Sequence, residues 1–130
     1  MNLVSTTAWI AGAVLVGLSI FQALLAWGAP LGRLAWGGAH ERLPTRLRIA
    51  SLASSVVCVF GAVCVLERAG VISLFDRPGA VRVVVWILTV LFGLSSAGNL
   101  ASKSVWEKRV MTPVAVTLTV ACLIVSIFGR

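Results

Sequence analysis

Four long apolar runs alternate with short stretches that collect the charged residues. Met1 to Gly32 holds no charged side chain. Arg33, Glu41, Arg42, Arg46 and Arg48 then gather with His40 among them. Glu67, Arg68, Asp76, Arg77 and Arg82 form a second group, Lys103, Glu107, Lys108 and Arg109 a third, and Arg130 follows the last run. Each run has about the 18–24 residues that cross roughly 30 Å of hydrocarbon at 1.5 Å per helical residue. The pattern predicts helices near Val4–Trp27, Ile49–Leu66, Val81–Ala97 and Val110–Phe128. The expected fold is all-α, a single membrane-embedded four-helix bundle over residues 1–130 built from two hairpins.

Composition supports the membrane reading. Hydrophobic residues make up 59% of the chain and charged residues 12%, with a mean hydropathy of +1.03. A soluble domain typically carries about a quarter of its residues charged, so the bilayer must replace the polar shell. The first run follows an uncharged N-terminus and is longer than the core of a cleavable signal, so it is expected to persist as a helix. The net charge of +7 is divided among three connections and builds no recognition face, which argues against nucleic acid and for membrane lipids as partners. Arg33, Arg42, Arg46, Arg48, Lys103, Lys108 and Arg109 fall on one side; Arg68, Arg77, Arg82 and Arg130 fall on the other. The excess predicts connections one and three in the cytoplasm and both termini outside, in a bacterial inner membrane. Trp27, Trp36 and Trp106 would then form an inner aromatic belt, with Trp9 and Trp86 nearer the outer face. Cys58, Cys64 and Cys122 show no metal or redox spacing and read as small buried apolar residues.

Small residues at four-residue spacing, Ala8/Gly12, Ala13/Gly17 and Gly93/Ala97, predict close helix contacts, within one chain or between copies in a homo-oligomer. The first connection is long for a helix-to-helix turn. Gly28 and Pro30 stop the first helix, Gly37 and Gly38 break any continuation, and Pro44 and Thr45 suit entry to the second. Its apolar middle, Leu31, Leu34, Ala35 and Trp36, fits an interfacial or re-entrant segment. Polar residues inside the runs favour the same end: Gln22, Ser51, Ser54, Ser55, Ser95, Ser96, Asn99, Ser102, Thr112 and Thr117. They predict a polar pocket beneath the loop, lined by Gln22, Trp36, His40, Glu41, Arg46, Arg48 and Asn99, in which the arginines would favour a small anionic ligand. The competing reading assigns the same residues to helix packing and lipid anchoring.

No hydrolase, zinc-protease, nucleotide-loop or dinucleotide motif occurs, and no catalytic residue, metal or cofactor is expected. Gly28-Ala-Pro-Leu-Gly-Arg-Leu-Ala-Trp-Gly-Gly-Ala-His40, with Leu43-Pro44 and Leu47-Arg48, resembles an uncharacterised family of small bacterial four-helix integral membrane proteins. Trp106-Glu107-Lys108-Arg109-Val110-Met111-Thr112-Pro113-Val114 looks like the second marker of that family. The resemblance implies fold and topology and no activity. The leading expectation is a non-enzymatic membrane protein whose loop face binds a ligand, a lipid headgroup or a partner membrane protein. The alternatives are a small oligomeric transporter or channel subunit, and an enzyme acting on a lipid or isoprenoid through His40 and Glu41.

Overall fold

Inside hydrocarbon a backbone N–H has no water to bond, so a spanning segment must satisfy its own amides as a helix. The computed structural model, which describes residues 1–130, contains four long helices and no strand: α1 (Leu3–Trp27), α2 (Thr45–Arg68), α3 (Pro78–Leu100) and α4 (Val105–Phe128). They hold 23 to 25 residues each and are apolar enough to cross a membrane. The chain is a multi-pass membrane protein with an all-α four-helix bundle. α1 packs chiefly on α2 and α3 on α4, and the two hairpins meet along α1–α4 and α2–α3.

The helices begin where capping chemistry allows, which is earlier than the apolar runs do. Asn2 Oδ1 accepts the Ser5 N–H at 2.8 Å and opens α1. α2 starts directly after Pro44, at the entry that the Pro-Thr pair marks. Pro78 stands in the first turn of α3. The largest difference concerns α4, expected from Val110. Ser104 caps it by accepting the Glu107 N–H, so Glu107, Lys108 and Arg109 lie in the first turns instead of a loop. Pro113 therefore stands inside α4 and leaves the Arg109 carbonyl without its usual donor. At the other end of α1, Gly28 adopts a left-handed φ of 103° and sends its N–H to the Leu24 and Leu25 carbonyls, a closure that a side chain would strain.

Ala8 and Leu15 of α1, Cys58 and Val65 of α2, Val85 and Leu88 of α3, and Leu118 and Cys122 of α4 share one buried core. All three cysteines are buried and free. Opposite faces are also apolar, with Ile10, Ile20, Val56, Ile87, Val90 and Leu94 exposed, which is the surface that lipid covers. Hydroxyls join the helices. Ser19 and Ser55 each donate to the other's carbonyl at 2.9 Å, tying α1 to α2. Thr89 and Ser126 approach to 3.2 Å between α3 and α4. Such bonds are worth about 0.6 kcal/mol each on average in membrane proteins. Buried Arg68 adds a bond from its guanidinium to the Ser126 carbonyl, linking α2 to α4.

The small-residue stripes divide. Ala8 and Gly12 face the core, and a Cβ at Gly12 would lie 3.8 Å from Leu66 of α2. Ala13 and Gly17 turn outward, and Gly17 has nothing within 4 Å. Gly93 rests near Thr119 of α4, while Ala97 is exposed. A helix turns 100° per residue, so two stripes one residue apart cannot both face one neighbour. Gly12→Leu should cost about 1–3 kcal/mol by overpacking and lower the melting temperature in detergent, whereas Gly17→Leu should leave it unchanged. Equal effects of the two substitutions would show that Gly12 does not stand at a helix contact.

Candidate functional site

The first connection, residues 29–44, folds back over the loop-side ends of the bundle. Two single-turn 3-10 segments, Gly32–Leu34 and Trp36–Gly38, shape it. Its Ala35 and Leu43 are buried in a small cluster with Leu25 of α1, which anchors the strap by its apolar residues. Polar bonds then fix its position. The Gly32 N–H donates to the Glu41 carbonyl at 2.8 Å, closing the strap on itself. The Trp36 indole N–H donates to Ser51 Oγ of α2 at 2.9 Å, and Ser51 is fully buried. The Gly37 N–H donates to Glu107 Oε2 of α4 at 2.8 Å. The Ser104 hydroxyl, also on the α4 side, donates to the Arg33 carbonyl.

Three successive residues make the sharp turn that permits these bonds, with φ of 51° at Trp36, 82° at Gly37 and 71° at Gly38. A non-glycine residue held at positive φ is strained by about 1–3 kcal/mol, and the Trp36–Ser51 bond helps to offset it. Gly38 also lies so close to Ser104 that a Cβ would collide with the serine side chain.

Beneath the strap lies a part-open cavity of about 410 Å³. α1 contributes Phe21 and Gln22, the strap Trp36, α2 Ser54, α3 Phe92, Ser95, Gly98 and Asn99, and α4 Glu107 and Met111. Its volume falls within the roughly 300–1,000 Å³ usual for small-molecule sites. Gln22 Oε1 is buried and has no hydrogen-bond partner. Leaving such an acceptor bare costs about 1–3 kcal/mol.

Three of the expected site residues, Gln22, Trp36 and Asn99, share this cavity. His40, Glu41, Arg46 and Arg48 do not line it, which corrects their expected placement. His40 and Glu41 are exposed on the strap, and Arg46 is exposed in the first turn of α2. Arg48 faces α1, where its Nε donates to the Ala26 carbonyl at 2.9 Å and its Nη2 to the Trp27 carbonyl at 3.0 Å. It caps the helix C-terminus, where carbonyls and the dipole both favour a cation. Trp36, expected in the aromatic belt with Trp27 and Trp106, is exposed as they are and is also tied to Ser51.

Glu107 is the charged lining residue that the sequence reading missed, because it stands among the charges of the third group. The signal is the Ser104-x-x-Glu107 spacing, the signature of a capping box. In a capping box the N3 carboxylate turns back to the cap N–H. Here the Ser104 N–H bonds Ser102 Oγ, and the Glu107 carboxylate takes the strap instead. Glu107 is buried and is the only ionisable residue on the cavity wall. The arginines that motivated an anionic ligand stand elsewhere.

Fold and cavity together define a class, the four-helix membrane protein with a strapped, part-open cavity of mixed polar and apolar lining at one end. No family model, curated protein or solved structure matches the chain. The placement of the two arginines is directly testable. Arg48→Leu should destabilise the protein by about 1.5–3 kcal/mol, the range for a charged hydrogen bond, while Arg46→Leu should leave the melting temperature within error. Equal tolerance at both positions would mean that Arg48 does not hold the end of α1.

Proposed function

We propose that the protein is a non-enzymatic component of a bacterial inner membrane that binds a small molecule in the strapped cavity. The reading rests on one observation above the others: a cavity large enough for a ligand whose wall gathers Gln22, Asn99 and Glu107 from three helices. Packing alone explains Ser19, Ser55, Thr89 and Ser126, whose hydroxyls are paired between helices. It does not explain Gln22. The Lys/Arg excess at the strap end supports a cytoplasmic opening and external termini. The exposed His40, Glu41 and Arg46 would meet lipid headgroups or a partner protein at that surface.

A transporter reading draws on Pro113, which interrupts the α4 hydrogen bonds next to the cavity residues Val114 and Ala115. Such a break supplies a hinge on the wall of the cavity. Flux of the bound solute across proteoliposomes would favour this reading over simple binding.

The binding reading is tested with a variant lacking native thiols. Ser95→Cys should react with a small water-soluble alkylating reagent added from the cytoplasmic side. Gly98, which has nothing within 4 Å of a built Cβ, lines the same cavity. Adding Gly98→Leu should fill the space and slow that reaction at least about ten-fold without lowering the melting temperature. In the same background, Lys103→Cys should label only from the cytoplasm and Ser73→Cys only from outside. Reaction of Ser95→Cys that is indifferent to Gly98→Leu would refute the cavity, and reversed labelling at residues 103 and 73 would refute the orientation.

A further inference from the structure

Resting on the reading of the cavity as a ligand site, we propose that it selects an organic cation with an apolar body, such as a substituted ammonium. Three features of the wall converge on that chemistry. First, Glu107 is its only ionisable residue, and no Lys or Arg lines the space to balance it. A carboxylate with no cationic side chain beside it on the wall is best matched by a ligand that brings the opposite charge. Second, the Gln22 and Asn99 side-chain amides on the wall each offer a carbonyl oxygen as an acceptor. An anion would add its charge to that of the Glu107 carboxylate, whereas an ammonium N–H or a polarised C–H beside a quaternary nitrogen complements the carboxylate and these oxygens. Third, Phe21, Trp36 and Phe92 bring aromatic rings to the wall, and Met111 adds a polarisable side chain. Aromatic faces attract cations, by about 0.5–2 kcal/mol each depending on desolvation, and they also receive the apolar part of the ligand.

The position of Glu107 adds a consequence for the strap. Its Oε2 already accepts the Gly37 N–H, so a cation that engages the same carboxylate would touch the group that holds the strap in place. Ligand and strap would thus share one acceptor, and occupancy would be reported by the turn at Trp36 and Gly37.

The experiment uses the full chain in lipid nanodiscs, with the Ser95→Cys thiol as reporter. Three probes of similar shape compete with alkylation: benzyltrimethylammonium, its neutral isostere neopentylbenzene, and the anion benzylphosphonate. Benzyltrimethylammonium should protect the thiol at the lowest concentration. Glu107→Gln keeps an oxygen for the Gly37 N–H and removes the charge. It should raise the concentration of the cation needed at least about ten-fold while leaving that of neopentylbenzene unchanged. Glu107→Asp should retain the preference for the cation, which guards against a folding artefact in the Gln variant. Equal protection by the neutral isostere, stronger protection by benzylphosphonate, or no protection by any probe of a reactive thiol would each overturn the cation assignment and leave the cavity standing. A thiol that never reacts would instead remove the cavity, and the assignment with it.

Discussion

The bond from the Gly37 N–H to the Glu107 carboxylate joins the connection after α1 to the first turn of α4, and the strap-side architecture depends on it. A segment as apolar as Leu31 to Trp36 gains by leaving water, yet its backbone amides cannot enter a membrane interface unpaired. Helices satisfy that demand internally. The strap does so only in part, through turns among its own residues, and borrows the remaining partners: Ser51 for the Trp36 indole, Glu107 for Gly37, and the Ser104 hydroxyl for the Arg33 carbonyl. Each partner stands in the first turns or at the cap of a helix. The left-handed turn at residues 36–38 supplies the geometry, and the space it encloses becomes the cavity.

The charged side chains that form hydrogen bonds, Arg33, Arg48, Glu67, Arg68 and Glu107, all bond backbone groups. Glu67 at the far end of α2 accepts the Leu74 and Phe75 N–H groups, holding the second connection as Glu107 holds the first. Arg48 and Arg68 donate to carbonyls at the ends of α1 and α4. With so few charges available, their use at helix ends and connections leaves the membrane-spanning faces apolar. It also explains why a single remaining carboxylate on a cavity wall has chemical weight.

Much of this was legible in the sequence, for reasons that differ by element. The spans follow from uninterrupted apolar runs, but their starts do not, because hydropathy stops at the first charge while a helix stops at its cap. Ser104 and Glu107 move the start of α4 to Val105 for that reason. Gln22 and Asn99 were legible because a polar residue in an apolar run must face something other than lipid. Trp36 was legible as part of the strap, though not as the donor to Ser51. His40, Glu41, Arg46 and Arg48 were misplaced since proximity along a loop does not fix direction: Trp36 reaches Ser51 and the cavity wall, while His40, four residues on, does neither. Glu107 was hidden by its neighbours Lys108 and Arg109, which point away and are exposed.

The central claim is that residues 31–38 form an ordered strap held by Glu107, and amide hydrogen exchange in lipid nanodiscs measures it most directly. The amides of Leu31, Gly32, Leu34, Ala35, Gly37 and Gly38 all donate hydrogen bonds. Peptides covering this segment should exchange far more slowly than an unstructured loop, and Glu107→Ala should release that protection while the middles of the four helices stay protected. Exchange at unprotected rates in the unaltered protein, or protection indifferent to Glu107→Ala, would contradict the account.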